Sequence, residues 1–159
     1  MMPAATAASD LVLSARWAAL ATVRDAGEPS GSMVAYAVEG DARHLLVFLS
    51  GLAAHTGHLL TSRRCALVVS EADPGEGDPQ TLARVALTCS VEAIARDDPG
   101  FTDAFAIYVA RLPEARARLA LPDFTLFRLT VASVRFIGGF ARAETFSGVE
   151  LSGRGHSPI

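Results

Sequence analysis

Apolar and polar positions along this 159-residue chain follow two periods, and the switches between them outline the elements. Thr6–Arg16 sets Leu11, Val12 and Leu13 behind Ser9 and Asp10, two residue types that cap helix starts, and predicts a short amphipathic helix. Trp17–Val23 (WAALATV) is apolar and strand-like. The polar break Asp25–Gly31 (DAGEPSG) is turn chemistry, and Gly40–Asp41 turns the chain again after SMVAYAVEG. With His44–Leu49, these segments are expected to form a meander of three antiparallel strands.

The central stretch, Val47–Ser70, reads as strand, polar stop, short helix, basic turn and strand. Ser50 is expected to cap a helix of about three turns running through Leu59–Leu60. Leu52, Leu59 and Leu60 then share a face, with His55 and Thr56 on the same stripe. Donor side chains near a helix start, where free N–H groups favour anions, suggest a phosphate pocket closed by Arg63 and Arg64. The plainer reading is a His–Thr pair satisfied in a core or interface. Ala66–Val69 is the strand that follows.

Glu71–Gln80 (EADPGEGDPQ) is a polar surface loop, and Thr81–Ile94 one long strand. Asp97 and Asp98 supply helix-start charge, Asp98-Pro99 is a cap, and Phe101, Phe105, Tyr108 and Val109 share a helical face. Pro113–Leu121 predicts a second short helix, ended by Pro122-Asp123. Phe124–Phe140 is expected to supply two final strands joined near Ala132–Ser133 by a bend or bulge. From Ala143 the chain turns small and polar, and residues 144–159 are expected to be a mobile tail. The sum is a mainly β (α+β) fold, a six-stranded antiparallel split β-barrel with a few short helices in a single domain spanning 1–159. An open twisted sheet with helices on one face is the alternative.

Half the residues are apolar, 19% are charged and the net charge is −3, which fits a well-buried globule. Acidic and basic residues are mixed, so neither nucleic acid nor membrane is an expected partner. No apolar run approaches the ~18–20 residues of a membrane span, and the N-terminus lacks a signal-peptide pattern, so a cytoplasmic location is expected. Cys65 and Cys89 form no C-x-x-C motif and read as free buried thiols. G-x-S-x-G and G-x-G-x-x-G are both missing, and His55 and His58 lack a third ligand at suggestive spacing. No metal and no catalytic side chain is assigned, so a cofactor is expected to carry any chemistry.

The order WAALATV, PSGSMVAYAVEG, LLVFLSGLAAHTGHLLTSRRCALVVS and ARVALTCSVEAI resembles the pyridoxamine 5′-phosphate oxidase-like, FMN-binding split-barrel superfamily. YVARLPEARARLALPDFTLFRLTVASVRFIGGFARA is similar to its branch of HugZ/HutZ-type haem-utilisation proteins. The resemblance covers roughly residues 10–145. It implies a homodimer holding FMN in the groove between two barrels, acting as a small flavin-dependent oxidoreductase on a small-molecule substrate it does not name. The oxidases' Arg-x-Val strand matches Ser32, Met33, Val34 and Ala35, with Ser32 where the oxidases have Arg. Ser50 and Gly51 open the region that brings Ser/Thr and Lys to the phosphate, and His55 and Thr56 stand about where the basic residue would be. Arg84 is a further expected contact. With two fixed charges missing, a true pyridoxamine-phosphate oxidase is not expected. The alternatives are a non-catalytic flavin-binding module or a haem-binding protein, whose axial histidine would be His156, the only histidine in the tail.

Overall fold

The protein's structure, a computed structural model, describes residues 1–153. In chain order it contains α1 (Ala4–Ser14), β1 (Trp17–Val23), β2 (Pro29–Ala35), β3 (Ala37–Val38), β4 (His44–Ser50) and α2 (Ala54–Ser62). There follow β5 (Arg64–Ser70), β6 (Arg84–Ile94), α3 (Phe101–Arg111), β7 (Phe124–Ile137) and β8 (Ala143–Ser147). Pro113–Ala120 and Gly148–Gly153 are 3₁₀ turns rather than α-helix.

The strands pair antiparallel in the order β2-β1-β5-β6-β7-β4-β3, with β8 added to β7. The two ends of that path, β2 and β3, are separated in the chain by Tyr36 alone. One stretch therefore breaks at Tyr36, pairs with β1 through its first half and with β4 through its second, and curls the sheet into a split barrel. With β2 and β3 counted as that one broken strand, the barrel has the six strands expected. The expected meander is present, with β1 pairing with β2 and β3 with β4 along the broken strand, and the other edge of β4 takes β7, more than seventy residues on (Ser50 pairs with Phe124).

Burial explains the strand sequences. Leu45, Val47 and Leu49 of β4 point into the barrel core, while Leu46 and Phe48 point outward into a second core under α3, with Phe101, Phe105 and Tyr108. Apolar contact on both faces is why this strand is a continuous apolar run instead of an alternating one. In β7 the core-facing positions are Phe127, Leu129 and Val131, then Val134 and Phe136. Their parity flips because Thr88 pairs with Ser133 and Cys89 with Val131, leaving Ala132 as the extra residue of a bulge. The expected irregularity at Ala132–Ser133 is thus a bulge within one long strand, and the expectation of two strands there is corrected.

The helix positions follow from what each strand leaves uncovered. α1 packs against β5, β6 and β7, α2 against β1, β5 and β6, and α3 over β3 and β4. The expected mobile tail is in part built into the fold. β8 pairs along β7 from Ala143↔Ile137 to Ser147↔Ser133, and Leu151 is buried in the barrel core. The hydroxyl of Ser9 in α1 donates to the Leu151 carbonyl at 3.4 Å. Residues 154–159, His156 among them, lie outside the described residues.

Candidate ligand site at the β4–α2 turn and the outer sheet face

Ser50 is the last residue of β4 and not the cap of α2, which starts at Ala54 behind Ala53 without a side-chain cap. Its hydroxyl donates to Asp123 Oδ2 at 2.7 Å and accepts the Leu52 N–H at 3.1 Å. The Gly51 N–H donates to the Asp123 carbonyl at 2.8 Å. A Cβ at Gly51 would lie 3.0 Å from that carbonyl oxygen, so the close approach of the two segments requires glycine. Leu52, expected on the packed face, precedes the helix and is 92% exposed.

Thr56 is buried and donates its hydroxyl to the Ser50 carbonyl at 2.5 Å. It is a satisfied core threonine, the plainer of the two sequence readings. His55 is half-buried, and burial, with His58 nearby, holds its imidazole below the usual histidine range, favouring the neutral ring. His58 Nδ1 lies 2.8 Å from the hydroxyl of Thr22, a partner on β1 that no sequence signal marked. Together with Arg24, Asp25, Glu28 and Thr61, His58 lines a polar cleft of about 480 Å³.

Arg84 does not join this group. It opens β6 opposite Ser70, whereas α2 runs into Arg64 at the far end of β5, about 20 Å along the strand. Its guanidinium donates to the carbonyls of Gln80 and Leu82, both at 3.0 Å, and fixes the preceding loop. Within the Ser32–Ala35 strand, alternation separates the predicted residues. Val34 is buried in the barrel core, whereas Met33 stands on the outer face and is 47% exposed. Ala35 offers its carbonyl to the Tyr108 hydroxyl at 3.3 Å, and burial raises the Tyr108 pKa.

That outer face is the feature sequence reasoning missed. Register puts Met33, Ala19, Val68 and Ala86 in one row across β2, β1, β5 and β6, with Gly31, Ala21, Ala66 and Thr88 in the next. Trp17, Val23, Met33 and Val68 are between 40% and 57% exposed there. The signal was present in WAALATV, whose outward-facing alternate positions are Trp, Ala, Ala and Val instead of polar residues.

Cys65 and Cys89 are directly opposed across β5 and β6 and both are free and buried. A shared hydrogen bond and burial keep the Cys89 thiol protonated. Among the described residues no group of three or more His, Cys, Asp or Glu is placed to hold a metal ion. None of their helices is long and apolar enough to cross a membrane.

The residues present do not fit the phosphate of a flavin mononucleotide. Ser50 is shared with a carboxylate, Thr56 donates to the protein's own backbone, and Arg84 lies at the far end of the sheet. The outer face is apolar and edged by the exposed indole of Trp17.

A family model described as pyridoxamine 5′-phosphate oxidase matches residues 5–138. The chain belongs to that family. It is 30% identical over 122 residues to "Non-canonical heme oxygenase HOZ, chloroplastic" of Arabidopsis thaliana, a match spanning 77% of this chain and 36% of the relative. A haem-binding protein from Mycobacterium smegmatis superposes with a TM-score of 0.85 at 26% identity, over 96% of this chain and 61% of that one. HutZ of Vibrio cholerae, described as a haem storage protein, superposes with a TM-score of 0.72 over 92% of this chain and 95% of its own. At 20% identity that likeness is one of fold. The chain thus spans about a third of the curated relative and three fifths of the mycobacterial protein.

Proposed function

We propose that this chain is a haem-binding, haem-utilising member of the family that works as a homodimer through the outer face of β2, β1 and β5. The observation that carries the reading is that face. Trp17, Met33 and Val68 stand exposed on a sheet face lined by alanines, a surface that suits both a planar apolar ring and a second copy of the chain. Two of the relatives above 25% identity, the chloroplast protein and the mycobacterial one, carry haem in their names. Flavin-dependent oxidoreduction, the activity expected from the resemblance, keeps the support of the family match and lacks a phosphate cradle.

In this proposal Trp17, Met33 and the row of alanines would wall the ring and exclude water, with a partner copy covering the face. Bound haem supplies an iron centre open to redox chemistry. His156 would be the donor to the iron that the resemblance implies.

Titration of the purified chain with haemin, and separately with FMN, tests the reading by visible absorption and sedimentation. The expected result is a Soret band saturating with haemin, weakened by Met33→Glu and altered by His156→Ala. Loss of that band under oxygen and ascorbate would extend the proposal to haem turnover. Flavin that survives desalting, with no Soret band on haemin addition, would overturn it.

A further inference from the structure

We infer that Asp123 is a specificity-determining residue at the β4–α2 turn and that it selects against ligands ending in a phosphate monoester. The inference is independent of the haem reading, since it concerns the charge and donors of the turn alone.

Four donors meet at this turn, and all are spent on the protein. The hydroxyl of Ser50 and the N–H of Gly51 go to Asp123, the N–H of Leu52 to Ser50 Oγ, and the hydroxyl of Thr56 to the Ser50 carbonyl. A phosphate seeking the Ser50 hydroxyl must displace a carboxylate that already accepts it at 2.7 Å. Among the described residues no cation pairs with Asp123, so its charge is not neutralised by the protein. A dianion placed beside it meets like charge at close range. The backbone on each side of Asp123 is also held. Arg96 donates to the carbonyls of Leu121, at 2.6 Å, and Phe124, at 3.4 Å, one on each side of Asp123.

The same arrangement tolerates a neutral polyol or an N–H group, which can donate to the carboxylate instead of competing with it. Riboflavin and FMN differ only in the phosphate and so isolate the effect. Both are titrated into the full chain and into Asp123→Asn, which removes the charge while leaving an oxygen to accept from Ser50. The wild type is expected to bind riboflavin more tightly than FMN. Asp123→Asn is expected to tighten FMN about tenfold relative to riboflavin. Glu76→Gln, an equal charge change in an exposed loop, leaves the ratio unchanged.

Asp123→Ala serves as a second variant, and circular dichroism checks that each retains the fold. A wild type that prefers FMN, or an Asp123→Asn protein whose FMN affinity does not rise, would overturn the inference. That second outcome includes the case in which neither protein binds FMN at millimolar concentration. Haemin binding is read in a separate titration, so failure of the haem reading is distinguishable from failure here.

Discussion

The hydroxyl of Tyr36 donates to the carbonyl of Val12 at 2.6 Å, joining the break in the barrel wall to the last turn of α1. The last four carbonyls of a helix lack partners within it, and α1 carries no basic residue in its last turn. Its carbonyls are met from elsewhere in the fold instead, Val12 by Tyr36 and Ser14 by Arg111 at 3.0 Å. The Tyr36 N–H in turn donates to the Arg16 carbonyl at 2.9 Å. Burial lifts the Tyr36 pKa well above its ordinary value, which keeps the phenol a donor at any working pH.

Tyr36→Phe leaves the Val12 carbonyl buried without a donor, and is expected to cost about 1–3 kcal/mol in urea unfolding. A loss below the measurement error would show that water replaces the phenol there.

Arg96 holds the segment leading into β7 through the carbonyls of Leu119, Leu121 and Phe124. Arg96→Met keeps much of the aliphatic stem and removes the donors. It is expected to cost about 1–2 kcal/mol and to make the Pro113–Asp123 connection more susceptible to limited proteolysis.

Gly148→Ala places a methyl group against the Val131 carbonyl at the β7 bulge. Rigid backbone on both sides leaves little room to yield, and a loss of about 1–3 kcal/mol is expected in thermal or denaturant unfolding. Unchanged stability would mean that the chain after β8 detaches at no cost.

His55 gives a pH dependence of known sign. Its folded pKa lies below the ordinary value of 6.5, so the unfolded chain binds more protons as pH falls. The stabilising contribution is complete above about pH 6.5 and is lost as pH drops through the folded pKa. His55→Gln should flatten the stability profile between about pH 7 and pH 5. A variant profile parallel to the wild type would place the titration elsewhere.

The homodimer reading predicts that Met33→Glu and Val68→Glu, one on each side of Ala19, lower the sedimentation mass from dimer to monomer. Both positions are exposed, so the far-ultraviolet circular dichroism should be unchanged. A wild type that sediments as a monomer would remove the proposed dimer.

Local order in this fold was legible because it depends on local spacing. Alternation and turn residues place β1, β5 and β6, the cluster of Phe101, Phe105 and Tyr108 marks α3, and the loss of period marks the bulge at Ala132. The resemblance in LAAHT and RFIGGFARA led to the right family. The tertiary structure decided the rest. β4 takes β3 on one edge and β7 on the other while α3 covers its second apolar face, and the period of a strand carries no record of such distant neighbours. The chemistry of the β4–α2 turn was decided in the same way. Ser50 meets Asp123 across 73 positions of sequence, and a hydrogen bond between such distant residues leaves no spacing to read. Sequence determines which groups are available for a site; only packing brings them together or, as with Ser50 and Thr56, uses them up.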